Sequence, residues 1–135
     1  MADITVLVVD DQPLMLYAMR TLLDNEDGIS VVGTAEDGQA AVEQAHALIP
    51  DLVLMDLKIP RLNGVEATRR IVAELPGIRV LVITMFSTLD HVVPALRAGA
   101  SGYLVKDARA EEILAAIHGS MADNLPLSPG VVRLL

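Results

Sequence analysis

Residues 4–13, Ile-Thr-Val-Leu-Val-Val-Asp-Asp-Gln-Pro, indicate how the whole chain folds. The run from Ile4 to Val9 is apolar and mostly β-branched, which is typical of a strand buried on both faces. Asp10 and Asp11 follow it directly, and Pro13 suits the first position of a helix. The stretch therefore predicts a buried strand that delivers two carboxylates to the start of a helix.

The same alternation of a short apolar strand and an amphipathic helix repeats along the chain. The later strands are predicted over 30–34, 52–55, 79–83 and 102–105. The helices are predicted to begin near Pro13, Gly38, Gly64 and Leu89 and directly after Asp107, with apolar residues at helical spacing. Five strands alternating with five helices predict right-handed crossovers and a parallel α/β sheet covered on both faces.

Several expectations concern single positions on these helices. Asp107 is expected to cap the last helix and Gly119 to end it. The apolar residues expected to point inward include Ala18 in the first helix, Leu48 and Ile49 in the second, Leu89 in the fourth and Ala110 in the last. All of these follow from periodicity and from the residue types that helix ends prefer.

The composition bounds the function. The chain has 135 residues, 53% of them apolar, and a net charge of −8, so direct binding of nucleic acid by this segment is disfavoured. It has no cysteine, which excludes disulfides, thiolate catalysis and cysteine-based zinc sites. The start lacks a basic region, and no apolar run approaches the roughly 18 residues of a membrane span. We expect a soluble, cytoplasmic domain with no membrane contact.

The pattern changes near the C-terminus. Residues 1–120 account for the five strand and helix pairs, whereas 124–130 are punctuated by prolines and 131–135 are mostly apolar. We expect 1–120 to form the domain and 121–135 to begin a linker towards a further domain.

Polar residues follow four of the predicted strands. These residues are Asp10, Asp11, Asp56, Thr84 and Lys106. Taken singly, each has an ordinary interpretation as a cap, a turn residue, a strand threonine or a solvated lysine. The carboxyl ends of parallel strands lie on one edge, where open α/β sheets bind ligands, so the five together predict a shared cleft.

The residue types in this cleft favour phosphoryl chemistry. Three neighbouring carboxylates repel one another unless positive charge lies between them, which Lys106 and a hard divalent cation would supply. A carboxylate can also attack phosphorus and form an aspartyl phosphate. Such transfer requires mainly positioning and charge neutralisation.

Four stretches resemble the response-regulator receiver domain of two-component systems. They are residues 8–13, 50–56, 82–84 and 98–107, and their order and spacing match over nearly the whole chain. The Gly-Ala-Ser-Gly-Tyr-Leu-Val-Lys-Asp segment and the Leu-Ser-Pro tail are most similar to the NarL/FixJ branch. The resemblance implies the flavodoxin-like (βα)5 sandwich with strand order 2-1-3-4-5. It also implies a LuxR-type helix-turn-helix that binds DNA, which would lie outside this segment.

The resemblance assigns roles to the site residues. Asp56 would be the phosphoacceptor. Asp10, Asp11, Asp56 and the main-chain carbonyl of Lys58 would hold Mg²⁺ or Mn²⁺.

The remaining roles concern the phosphoryl group and the response to it. Lys106 would pair with the phosphoryl group, Thr84 would move to bond it, and Tyr103 matches the aromatic switch residue. The resemblance further implies a sensor histidine kinase as donor and a homodimer promoted by phosphorylation. The protein would then be a signalling phosphoacceptor that assists its own phosphorylation and dephosphorylation rather than an enzyme.

Three other functions stay open at this point. A phosphatase of the haloacid-dehalogenase type would show Asp two positions after the nucleophile, where Lys58 stands. A flavin mononucleotide carrier would have a phosphate loop rich in Ser, Thr and Gly, where Asp10 and Asp11 stand. A receiver that works without phosphorylation would keep the fold without using the site.

Overall fold

A computed structural model describes residues 3–135. The strands are β1 Ile4–Val9, β2 Ile29–Ala35, β3 Leu52–Met55, β4 Arg79–Thr84 and β5 Gly102–Val105. The helices are α1 Pro13–Asp24, α2 Gly38–Leu48, α3 Gly64–Glu74, α4 Leu89–Arg97, α5 Ala110–Met121 and α6 Pro129–Val132. The strands pair in parallel in the order β2-β1-β3-β4-β5, which confirms the predicted doubly wound sheet.

Each face of the sheet has its own apolar core, because successive strand residues point to opposite faces. Val6 and Val8 of β1 pack with residues of α1 and α5, whereas Leu7 and Val9 pack with α2 and α3. A third cluster joins α4 to β5. Among the described residues, no helix is both long and apolar enough to cross a membrane.

The expectations for the ends of α5 were wrong. The helix is capped by Arg109 rather than Asp107, and the Glu112 carboxylate accepts a hydrogen bond of 3.4 Å from the Arg109 N–H. The helix also continues beyond Gly119 to Met121. Its last turn is held by tertiary contact, because Ser120 is buried and donates to the Ser101 carbonyl at 3.4 Å.

Five residues expected to point inward are exposed. They are Ala18, Leu48, Ile49, Leu89 and Ala110. Ile49 adopts a left-handed conformation (φ 44°) just after α2, while its N–H still bonds the Ala45 carbonyl. This turns the side chain away from the inward stripe of the helix, and 57% of it is exposed.

The segment after α5 packs back onto the sheet. We call residues 124–132 the strap. Leu127 of the strap forms a parallel bridge with Tyr103 of β5, and Val131 is fully buried. That residues 121–135 also begin a linker to another domain stays a prediction.

Candidate functional site

Three aspartates meet at the carboxyl edge of the sheet. Asp10 and Asp11 follow β1, and Asp56 follows β3. Asp10 and Asp56 are each only 5% exposed, whereas Asp11 is exposed. One carboxylate oxygen from each lies within 4.8 Å of the other two. The spacing suits a small hard cation, which prefers oxygen ligands.

Lys106 provides positive charge inside this cluster. Its Nζ lies 2.8 Å from Asp10 Oδ2 and 3.0 Å from Asp56 Oδ2, and 7% of its side chain is exposed. Burial opposes the ammonium charge, but the hydrogen bonds to Asp10 and Asp56 outweigh it and raise the pKa of Lys106. The lysine therefore stays protonated between the two carboxylates.

The Asp56 carboxylate is incompletely stabilised. Burial raises its pKa above the ordinary value, Lys106 opposes the shift, and the nearby negative charge of Asp10 adds to it. A further cation beside Asp10, Asp11 and Asp56 would relieve this repulsion. The electrostatics thus favour binding of a cation at this edge.

Backbone groups orient the carboxylates. The Gln12 N–H donates a 2.9 Å hydrogen bond to Asp10 Oδ1, so both Asp10 oxygens have partners. At β3, a Cβ on Gly64 would lie 2.2 Å from the Asp56 carbonyl oxygen and 2.6 Å from Leu57 Cα. Only glycine lets α3 begin this close to Asp56. The sequence predicts no contribution to the site from Gln12 or Gly64, although the Asn63-Gly64 pair marks the start of α3.

The two predicted switch residues meet at the backbone of Phe86. Thr84 is fully buried, and its Oγ1 accepts a long hydrogen bond of 3.5 Å from the Phe86 N–H. The Tyr103 hydroxyl donates to the Phe86 carbonyl at 2.7 Å, and the ring is fully buried. Burial, together with the charge of Asp56, raises the pKa of Tyr103 to about 12. The role of the Phe86 backbone as their meeting point could not be predicted from sequence.

An open cleft of about 240 Å³ lies above the cluster. It is lined by Asp11, Gln12, Asp56, Lys58, Thr84, Met85, Phe86 and Lys106. The structure therefore brings the predicted residues Asp11, Asp56, Lys58, Thr84 and Lys106 to one cavity, with Asp10 beneath it. A buried carboxylate, a buried ammonium and a candidate cation site in one cleft are the elements that phosphoryl transfer needs.

Known proteins are similar to this chain in sequence and in fold. A family profile described as the response regulator receiver domain matches residues 6–118. The chain is 39% identical over 126 residues to the transcriptional regulatory protein LnrK of Bacillus subtilis, covering 93% of this chain and 57% of that protein. It is 35% identical over 131 residues to the nitrate/nitrite response regulator NarL of Escherichia coli, covering 97% and 61%.

A solved structure shows the same fold. It is a two-component response regulator of the LuxR family from an Aurantimonas species, with a TM-score of 0.92 and 32% identity over 98% of this chain and 94% of that one. The chain thus matches nearly all of that structure. It spans about 57 to 61% of the two curated relatives.

Proposed function

Because the chain belongs to the response-regulator receiver family, whose relatives here are NarL- and LuxR-type regulators, we propose that it accepts a phosphoryl group on Asp56. The observation that carries the proposal is the Asp10, Asp11 and Asp56 cluster with Lys106 Nζ at 2.8 and 3.0 Å from two of its members. We assign the site to signalling, and we infer that its chemistry serves the phosphorylation and dephosphorylation of the protein itself.

The transfer joins Asp56 to the phosphorus of a donor. With a sensor histidine kinase as donor, an Asp56 carboxylate oxygen forms the new P–O bond as the P–N bond of phosphohistidine breaks. The imidazole nitrogen leaves with the electron pair and takes up a proton. Lys106 remains beside the acceptor and neutralises charge on the phosphoryl oxygens.

The donor set fits Mg²⁺ or Mn²⁺. Asp10, Asp11 and Asp56 offer three carboxylate oxygens, and the main-chain carbonyl of Lys58 would be the fourth protein ligand. When bound, the ion would neutralise charge on the phosphoryl group and the carboxylates. The Gln12 N–H and Lys106 hold Asp10 in place for this task.

The response begins at Thr84 and Tyr103. The phosphoryl group of an acyl phosphate carries a charge of about −1.5 to −2 at neutral pH, in place of the single charge of the free carboxylate, and it offers acceptors to the Thr84 hydroxyl. A displacement of Thr84 acts on the Phe86 backbone and through it on the Tyr103 hydroxyl.

We propose that the face formed by α4, β5 and α5 then favours a homodimer. We also propose that a further domain binds DNA and that the protein works in the cytoplasm.

Intact mass spectrometry tests the assignment. The chain is incubated with acetyl phosphate in Mg²⁺ or in EDTA, beside Asp56→Asn and the exposed-carboxylate control Asp27→Asn. We expect one phosphoryl group on the wild type and on Asp27→Asn only with Mg²⁺, and none on Asp56→Asn. A folded wild-type protein that gains no group from acetyl phosphate or from a kinase would overturn the proposal.

A further inference from the structure

The strap pairs with the outer edge of β5. β5 lies at the end of the sheet with β4 on one side. On the other side the Tyr103 N–H donates to the Pro126 carbonyl at 2.9 Å, and the Ser128 N–H donates to the Tyr103 carbonyl at 3.0 Å. The Val105 N–H donates to Ser128 Oγ at 3.0 Å. An edge that would otherwise present unpaired backbone groups is thus bonded by the chain's own segment.

The surface of β5 against which the strap packs accommodates its side chains. A Cβ on Gly102 would lie 2.9 Å from both Cγ and the carbonyl oxygen of Pro126, so glycine makes room for the proline. Val131 is fully buried and packs in the apolar cluster that contains Tyr103 and Val92. Backbone bonds and apolar contacts therefore fix the strap on the same residue, Tyr103.

The backbone at the start of the strap is strained. Asp123, directly before the strap, and Leu125, its second residue, have φ values of 60° and 49°, in the left-handed region that costs free energy for residues other than glycine. Such conformations persist where the surroundings over-determine them. The contacts of Pro126, Ser128 and Val131 hold the backbone in these conformations.

Tyr103 links the strap to the phosphorylation site. Its backbone is bonded by the strap, and its hydroxyl is bonded by the Phe86 carbonyl. Phe86 in turn bonds Thr84 Oγ1, at the wall of the cleft that holds Asp56. A continuous set of contacts thus runs from the acceptor aspartate to residues 124–132.

We propose that docking of the strap and phosphorylation of Asp56 are positively coupled through Tyr103. The docked strap holds the Tyr103 ring in its buried position, and a phosphoryl group that draws Thr84 towards it stabilises the same position. The coupling rests on the proposed function of Asp56. Because such coupling is reciprocal, loss of strap docking weakens binding at the site by the same factor by which occupation of the site strengthens docking.

A pair of adjacent substitutions tests docking by itself. Val131→Asp places a charge in the buried cluster, whereas Val132→Asp places it on the same helical turn at a residue that is 55% exposed. Hydrogen exchange is measured at the Tyr103 and Val105 amides, with Val82 of β4 as an internal reference for the fold. We expect at least about tenfold faster exchange at Tyr103 and Val105 in Val131→Asp only, since a buried unpaired charge is costly.

The ring is observed in the same variants. Tyr17→Phe leaves Tyr103 as the only tyrosine, so 3-fluorotyrosine gives one fluorine resonance for it. We expect Val131→Asp to move this resonance towards the solvent-exposed position and Val132→Asp to leave it in place. Ser128→Ala, which removes a single acceptor, is the milder variant if Val131→Asp fails to fold. An unmoved resonance in an undocked strap would overturn the role of the strap in holding the ring.

The coupling is measured with beryllium trifluoride and Mg²⁺ as a mimic of the phosphoryl group. We expect the mimic to slow exchange at Tyr103 and Val105 about fivefold or more, and Val131→Asp to raise its Kd by the same factor. Tyr103→Phe, which removes the bond to Phe86, should abolish both effects. Equal affinities of wild type and Val131→Asp would overturn the coupling and leave the phosphoacceptor role intact. Failure of both acetyl phosphate and a kinase to label Asp56 would instead overturn that role, while the exchange data would still report strap docking.

Discussion

The two ends of β3 carry aspartates in contrasting surroundings. Asp51 precedes the strand, and its Oδ2 accepts hydrogen bonds from the Thr5 N–H at 2.9 Å and from Thr5 Oγ1 at 3.2 Å. The Asp51 N–H donates back to Thr5 Oγ1 at 2.9 Å. Asp56 follows the strand, and it shares one ammonium with a second carboxylate. At the first end the carboxylate is held by hydrogen bonds from the uncharged groups of one residue, whereas at the second end two carboxylates share a single ammonium.

The difference separates a carboxylate that stabilises the fold from one that is available for chemistry. Asp51 joins β1 to β3 through reciprocal bonds with one residue. Asp56 faces an open cleft, and burial together with the nearby charge of Asp10 raises its pKa although Lys106 opposes the shift. Perturbed groups in a cleft are candidates for functional sites, which favours Asp56 over Asp51 although both flank the same strand.

The largest effect is expected when the ammonium at the Asp56 end is removed. Lys106→Met should slow labelling by acetyl phosphate about 100-fold, because one aimed charge or donor contributes roughly that much to a transition state. Arg109→Met removes an equal charge from a side chain that is 78% exposed, and it should label at the wild-type rate. Equal rates for Lys106→Met and Arg109→Met would show that the ammonium beside Asp56 makes no special contribution to this end of β3.

Substitution of a glycine near each end of β3 should also have a larger effect at the Asp56 end than at the Asp51 end. Gly64→Ala forces a Cβ against the Asp56 carbonyl and should lower the free energy of unfolding by about 3 kcal/mol, with slower labelling. Gly77→Ala, in the turn beside Asp51, meets nothing within 4 Å and should change stability by less than about 0.5 kcal/mol. Urea unfolding with intact-mass labelling measures both quantities, and a stable, normally labelled Gly64→Ala would contradict the close approach.

Alkaline pH should affect the Asp56 end through Tyr103. Its folded pKa of about 12 exceeds the ordinary value of 10.0, so the folded protein keeps this proton while the unfolded chain loses it. The contribution is complete below pH 10 and declines as pH rises through 12, by about 2 to 3 kcal/mol. The stability difference between wild type and Tyr103→Phe should fall by that amount over this range. A pH-independent difference would show that the ring is not held in a buried, protonated state.

The smallest effect is expected at the Asp51 end. Thr5→Val removes one hydroxyl that both donates to and accepts from Asp51, and it should lower the free energy of unfolding by about 1 kcal/mol. Labelling of Asp56 should stay within about twofold of wild type, because the substitution leaves the cluster untouched. Chemical denaturation and intact mass measure the two, and a large loss of labelling would show that the ends of β3 are coupled.

Much of the fold followed from residue pattern alone. Strands such as Ile4–Val9 and Leu52–Met55 are buried on both faces and therefore appear as unbroken apolar runs. Apart from Ala18 in the middle of α1, the positions that were wrong lie at or near helix ends. Asp107 is a suitable cap by residue type, but α5 begins at Ala110, after Arg109. Ile49 has the correct spacing for the inward face of α2 but follows the helix in a left-handed conformation.

The site was predictable for a topological reason. A parallel sheet brings the ends of β1, β3, β4 and β5 to one edge, so Asp10, Asp56, Thr84 and Lys106 converge wherever the strands are correctly assigned. The contacts of Gln12, Gly64 and Phe86 were not predictable. They depend on backbone groups whose positions are set by how loops pass one another.

The sequence by itself determined the layered fold, the order of its elements and the clustering of acidic residues with Lys106, because these follow from periodicity and from parallel strand geometry. Only the tertiary structure decided which carboxylate is closed by Thr5 and which faces the cleft. It also decided that residues 124–132 pair with β5. A short segment broken by prolines has no periodicity from which to predict its partner. The position of the strap is set by the unpaired edge of β5 and by the space at Gly102, both of which exist only in the folded domain.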